Sequence, residues 1–153
     1  MNVKVALFRG NVSAISKLIE WDTRSPYCHA GIVLRSGQLI ESVEPSGVRM
    51  REFVQDSDEP ADLFTVAGVD DDKVEKFLID QLGKPYAMLN IVGFLIRDNK
   101  DEDRGKWFCS ELVFAAIEAG GVSLLRDIPP YMVSPAMLAL SPLLKPDLIW
   151  VKP

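Results

Sequence analysis

Histidine is nearly absent from this chain: His29 is the only one in 153 residues. Cysteine is almost as scarce, with Cys28 and Cys109 as the pair. Two cysteines cannot build a disulfide framework, and no CxxC or paired Cys/His spacing marks a metal site. A site drawn from Cys28, His29, Glu41 and Cys109 is opposed by the alternation of a strand, which sends Cys28 and His29 to opposite faces. No metal and no cofactor is expected. Positive charge is also in short supply. The formal net charge is −5 and the sequence pI about 4.9, against the clustered Lys/Arg of a nucleic-acid binder. The longest apolar run, Tyr86 to Ile96, is too short to span a bilayer. The N-terminus, Met1-Asn2-Val3-Lys4-Val5, has no cleavable signal pattern. The default expectation is therefore a reducing cytoplasm; release by lysis, or export by another route, fits the same observation.

What is present is ordinary for a globular domain: 48% apolar and 25% charged residues. At this length a single domain over residues 1–153 is expected, with no internal repeat and no linker. Strands are predicted over Val3–Phe8, Cys28–Leu34, Gln38–Val43, Val48–Phe53 and Ala61–Val66, with an edge strand over Leu148–Val151. Helices are predicted over Ser13–Trp21, from an acidic cap at Asp70–Asp72 to Leu82, over Met88–Ile96, and over Cys109–Ala119, which Gly120-Gly121 stops. Arg97 to Lys106 reads as a charged loop. Strands interleaved with segregated helices indicate an α+β fold.

Cys109 opens its helix. Unsatisfied N–H groups and the macrodipole at a helix start favour a thiolate, and the same N–H groups can stabilise an oxyanion. The bland alternative is a buried cysteine acting as a small hydrophobe. If a Cys–His dyad operates, its base must be His29. Along that strand His29, Gly31 and Val33 share one face, while Cys28, Ala30, Ile32 and Leu34 form an apolar one. Cys28 is thus a weak nucleophile candidate. Gly31, lacking a side chain, leaves room beside His29 for another group or a substrate. Tyr27 could donate to an oxyanion or line the cleft, or simply pack. Glu111 reads as a first-turn helix acid.

A base works best when a third group fixes its tautomer. The returning strand offers Glu41 and Glu44. A three-residue turn at Arg35-Ser36-Gly37 sets Gly31 opposite Glu41, whereas a two-residue turn sets Glu44 opposite His29. Residues alone leave both open.

Several segments together resemble the circularly permuted NlpC-type papain-like cysteine hydrolases, the YiiX/YebB-like branch. Ser25 to Leu34 resembles the histidine motif, and Ile40-Glu41-Ser42 with Gly47-Val48 the second-strand motif. Gly83-Lys84-Pro85-Tyr86 resembles the G-x-x-Y motif, although Ala87 follows where the family usually has Asp. Phe108 to Val113 resembles the cysteine motif, and Ser134 to Leu138 the S/T-P-x-x-L element. The matches run in family order from about residue 3 to residue 140. The resemblance implies a papain-like antiparallel sheet or small barrel packed against helices. It implies a catalytic Cys109, His29 and Glu41, favours Glu41 over Glu44, and implies substrate contacts at Tyr27, Gly31, Tyr86 and Ser110. The implied chemistry is amide hydrolysis through a thioester, on a peptide or cell-wall fragment. A lipid acyltransferase or thioesterase is the alternative on the same fold, with an acyl groove lined by Met88, Ile91, Val92 and Leu95. A third possibility is a non-catalytic module that binds such ligands.

Overall fold

Strand β1, Lys4–Arg9, is the hub of the molecule. It pairs with β2 (Tyr27–Val33) on one side and β5 (Ala61–Val66) on the other, both antiparallel. β3 (Gln38–Val43), β4 (Gly47–Glu52) and β6 (Leu144–Leu148) complete an open, fully antiparallel sheet of order β4-β3-β2-β1-β5-β6. The computed structural model describes residues 2–9, 25–56, 58–86 and 107–151. The helices expected at Ser13–Trp21 and Met88–Ile96, the acyl groove on the second of them, and the whole charged loop over Arg97 to Lys106 lie outside these residues.

Val5, Ala6, Leu7 and Phe8 are all buried because β1 is covered on both faces. A strand covered twice reads as a continuous apolar run instead of an alternating one. One face of the sheet presents Leu7, Ala30, Ile32, Ile40, Val48 and Phe64 to the helices. The other gathers a smaller cluster of Ala6, Phe8, Val33, Leu39, Ala61 and Leu63 beneath Phe53.

Helix α1, Asp71–Gln81, starts where the Asp70 side chain accepts from the Lys73 N–H at 3.2 Å, and Asp71 and Asp72 favour its positive end. Helix α2, Cys109–Ala119, is buried through its first turns; Leu112, Val113, Phe114 and Ile117 have no exposed surface. Each such side chain contributes about 1.5–3 kcal/mol by leaving water. The Gly120 N–H closes the helix on Ala116 O. A 3-10 turn at Pro130–Met132 leads to α3, Pro135–Ala139, capped by Ser134. The fold is thus α+β, with an open antiparallel sheet packed against helices and no closed barrel.

The expected last strand is displaced: pairing runs over Leu144–Leu148, not Leu148–Val151. Pro146, which lacks a donor, is tolerated because β6 is an edge. Beyond Leu148 the Trp150 N–H leaves the ladder and donates to Asp62 Oδ1 at 2.9 Å.

Candidate active site

The β2–β3 turn decides the first part of the site. Leu34 and Gln38 close the hairpin around Arg35-Ser36-Gly37, with Gly37 at φ 89°. This three-residue turn pairs Gly31 with Glu41. Glu41 therefore shares the face of His29, one diagonal step away, and Glu44 lies beyond the end of β3. His29 Nε2 donates to Glu41 Oε2 at 2.7 Å. The room left by Gly31 is filled by the neighbouring strand: a Cβ there would lie 2.7 Å from Leu39 Cδ1 and 3.3 Å from Glu41 Cβ. Gly31 thus lets β3 approach closely, with Leu39 nearest and Glu41 beside it. Below the imidazole lies Phe8, ring centroids 5.2 Å apart.

Glu41 is 1% exposed, yet it is amply partnered. Its second oxygen, Oε1, accepts from Arg51 Nε at 2.7 Å and from Arg49 Nε and Nη2 at 3.2 and 3.0 Å. Burial alone would push its carboxyl up; hydrogen bonds and charge from His29 and Arg51 win and lower it from 4.5 to about 2. The two arginines escaped the sequence reading. The signal was present, since Arg49 and Arg51 alternate along a strand antiparallel to the one bearing Glu41.

Cys109 comes from a distant part of the chain, and three contacts fix where its helix begins. Ser42 Oγ donates to Trp107 O at 2.6 Å, Trp107 N–H donates to Pro85 O at 3.0 Å, and Trp107 Nε1 donates to Gln81 Oε1 at 3.0 Å. The N-cap, Phe108, has no side-chain acceptor. Glu111 Oε2 reaches back to the Phe108 N–H at 3.4 Å, half of a capping box, so this acid is a cap as its position suggested. Cys109 is the other side chain that acts on His29, by hydrogen bonding and by charge, each favouring the protonated imidazole. With Nε2 committed to Glu41, Nδ1 is the nitrogen left for the sulfur. Burial opposes a charged imidazole here; hydrogen bonds to Cys109 and Glu41, with their electrostatic pull, overcome it and raise His29 from 6.5 to about 10. The imidazole is 15% exposed, so one edge of the group reaches solvent.

The remaining expected site residues divide. Tyr86 stands beside the thiol. Burial, then the charges of Cys109 and Glu44, raise its hydroxyl well above the ordinary value. Its ring packs 6.0 Å from that of Phe108. Gly47 makes this possible: it sits at φ 77°, and a Cβ there would meet Lys84 O at 2.1 Å. The Gly83-to-Tyr86 segment is thereby drawn onto β4 through Val48, whose N–H and C=O pair with Lys84 O and Gly83 N at 2.9 Å each. Tyr27 and Ser110 have other commitments. The Tyr27 hydroxyl donates to Asp62, which also receives Arg9. Ser110 is fully buried and donates to Val133 O at 2.5 Å. Cys28 is buried with its thiol 3.7 Å from Phe8 O. Among the described residues no group of three or more His, Cys, Asp or Glu side chains is arranged to hold a metal ion.

A scan against protein-family models returns no match, and a search of curated proteins returns none either.

Proposed function

We propose that this protein is a cysteine hydrolase that cleaves an amide through a thioester, with Cys109 as nucleophile, His29 as acid and base, and Glu41 as the residue that orients His29. One observation carries the proposal: the only imidazole in the chain bridges a thiol at a helix start and a buried carboxylate. A buried structural histidine needs neither partner in that combination.

In this reading the Cys109 sulfur attacks the carbonyl carbon, and the carbonyl π electrons move to oxygen. The N-cap Phe108 supplies no side-chain acceptor to the first turn of α2, which leaves the Cys109 N–H to serve that oxyanion. The C–N bond breaks as His29 gives its Nδ1 proton to the departing nitrogen, leaving a thioester. His29 then takes a proton from water as its oxygen attacks the thioester carbon; the C–S bond breaks, and the acid leaves with Cys109 restored as a thiolate beside the protonated imidazole. Glu41 keeps the Nε2 proton in place throughout, because an ionised carboxylate only accepts. Tyr86 lines the cleft. The substrate class suggested by the motif resemblance is a peptide, such as the stem of a cell-wall fragment.

The test is alkylation by iodoacetamide, mapped by mass spectrometry to Cys28 and Cys109 in wild type and His29→Ala. Fast labelling at Cys109 that slows when His29 is removed, with Cys28 slow in both, is expected. Slow labelling at Cys109 that ignores His29 would sink the hydrolase and point to a ligand-binding module.

A further inference from the structure

Glu41 receives more positive charge than one imidazole supplies. Its oxygens divide the load: Oε2 meets His29, and Oε1 meets both Arg49 and Arg51. The register of β4 explains the convergence. Arg49 stands directly opposite Glu41 and Arg51 opposite Leu39, one diagonal step along the same face. Arg51 is shared with Glu59 at 3.5 Å, whereas Arg49 has Glu41 as its ion-pair partner among the described residues. Their side chains are 45% and 31% exposed, so each guanidinium is partly hydrated while Glu41 is not.

An imidazolium held by a buried, uncompensated carboxylate grips its proton too well to act as an acid. Proton transfer is most effective when the donor's acidity lies near the working pH. Cations on the far oxygen counter that grip, because they draw the carboxylate charge away from the imidazole. We propose that Arg49 and Arg51 are positioning residues that set the acidity of His29 through Glu41, making its proton easier to give to a departing group. The use of this device rests on the thiol-hydrolase reading; its existence can be tested without substrate. Among the described residues, the groups that act on or touch His29 are Cys109 from α2, Glu41 from β3 and the uncharged Phe8 from β1. Arg49 and Arg51 stand behind Glu41 and Glu59 behind Arg51, and Tyr86 feels the charges of Cys109 and Glu44.

A single histidine gives a single imidazole signal, so its titration is read directly by NMR. In Cys109→Ala one of the two partners that raise His29 is gone, and the midpoint falls into an accessible range. On that background Arg49→Gln and Arg51→Gln should each move the midpoint up by roughly half a unit, and the pair by about one. Arg51→Lys, which keeps the charge, should move it less than half as far as Arg51→Gln. An unchanged or lowered midpoint in the glutamine variants overturns the proposal, and so does an equal shift in the lysine variant. Arg49→Gln alone suffices should Arg51→Gln fail to fold, since Arg49 is the more exposed. Failure of the hydrolase reading would appear separately, as His29-independent labelling of wild-type Cys109.

Discussion

Two carboxylates are buried in one sheet, and they do different work. Asp62, in β5, has no exposed surface; it receives Arg9, the Tyr27 hydroxyl and the Trp150 N–H. Glu41, in β3, receives Arg49, Arg51 and His29. Each is paid in hydrogen bonds from an arginine. The contrast lies in the remaining partner. Around Asp62 the partners keep their protons across the neutral range. The Asp62 hydrogen bond raises Arg9 above its already high value, while burial and then Asp62 raise Tyr27 above 10.0. Around Glu41 one partner is an imidazole, with a second hydrogen bond to a thiol. A buried carboxylate with fixed partners is a staple; with a titratable one it can help hold or pass a proton, as the proposed mechanism requires.

The largest effect expected of breaking this comparison is on stability. Asp62→Ala removes the acceptor of three donors and should cost about 3 kcal/mol in urea unfolding. Its Cys109 labelling rate should stay within about twofold of wild type, as distant sites behave independently. A large loss of labelling would mean that the two ends of the sheet are coupled.

Next in size, Glu41→Gln keeps the shape and deletes the charge. Labelling of Cys109, or hydrolysis once a substrate is found, should fall by about a hundredfold, equal to ~2.7 kcal/mol. A fall of less than threefold or so would demote Glu41 to the same structural rank as Asp62.

The smallest effect, read over a single pH unit and worth about 1 kcal/mol there, is a pH dependence of stability. His29 is raised from 6.5 to about 10, so its contribution is complete below 6.5 and is lost as pH rises through about 10. Glu41 is lowered from 4.5 to about 2, so its contribution is complete above 4.5 and is lost as pH falls through about 2. Thermal unfolding should therefore show a plateau between pH 4.5 and 6.5 and a decline on each side. The alkaline decline should flatten in His29→Gln and persist in Asp62→Ala. A decline that survives in His29→Gln would assign it to another group.

The sequence carried much of this architecture. The strand predicted over Gln38–Val43 and the helix over Cys109–Ala119 match the observed elements, because apolar period and Gly/Pro punctuation agree there. What stayed open was register. The residues alone left Glu41 and Glu44 open, the resemblance favoured Glu41, and turn length, a property of backbone geometry around Gly37, paired Glu41 with Gly31. Arg49 and Arg51 belong to no motif, and only the β3–β4 pairing reveals what they face. Asp62 is an acid in the apolar run Ala61–Val66, a signal in itself, but its partners come from three separate parts of the chain. Ser110 and Tyr27 enter as substrate contacts through the family resemblance, within the cysteine and histidine motifs. A motif does not tell where a hydroxyl points, and both donate into the scaffold.

The meander β2–β3–β4 has a consequence for how the site comes into being. His29, Glu41, Arg49 and Arg51 all lie between Tyr27 and Glu52, within two successive hairpins. Such local pairings close short loops and form early, whereas docking α2 closes a long one. A chain emerging from the ribosome would therefore pair His29 with Glu41 long before Cys109 arrives. The thiol meets the imidazole only when the helix locks onto β3 through Ser42 and Trp107. On the proposed mechanism, arming the nucleophile and completing the core are then the same event, and a half-made or partly unfolded chain is inert.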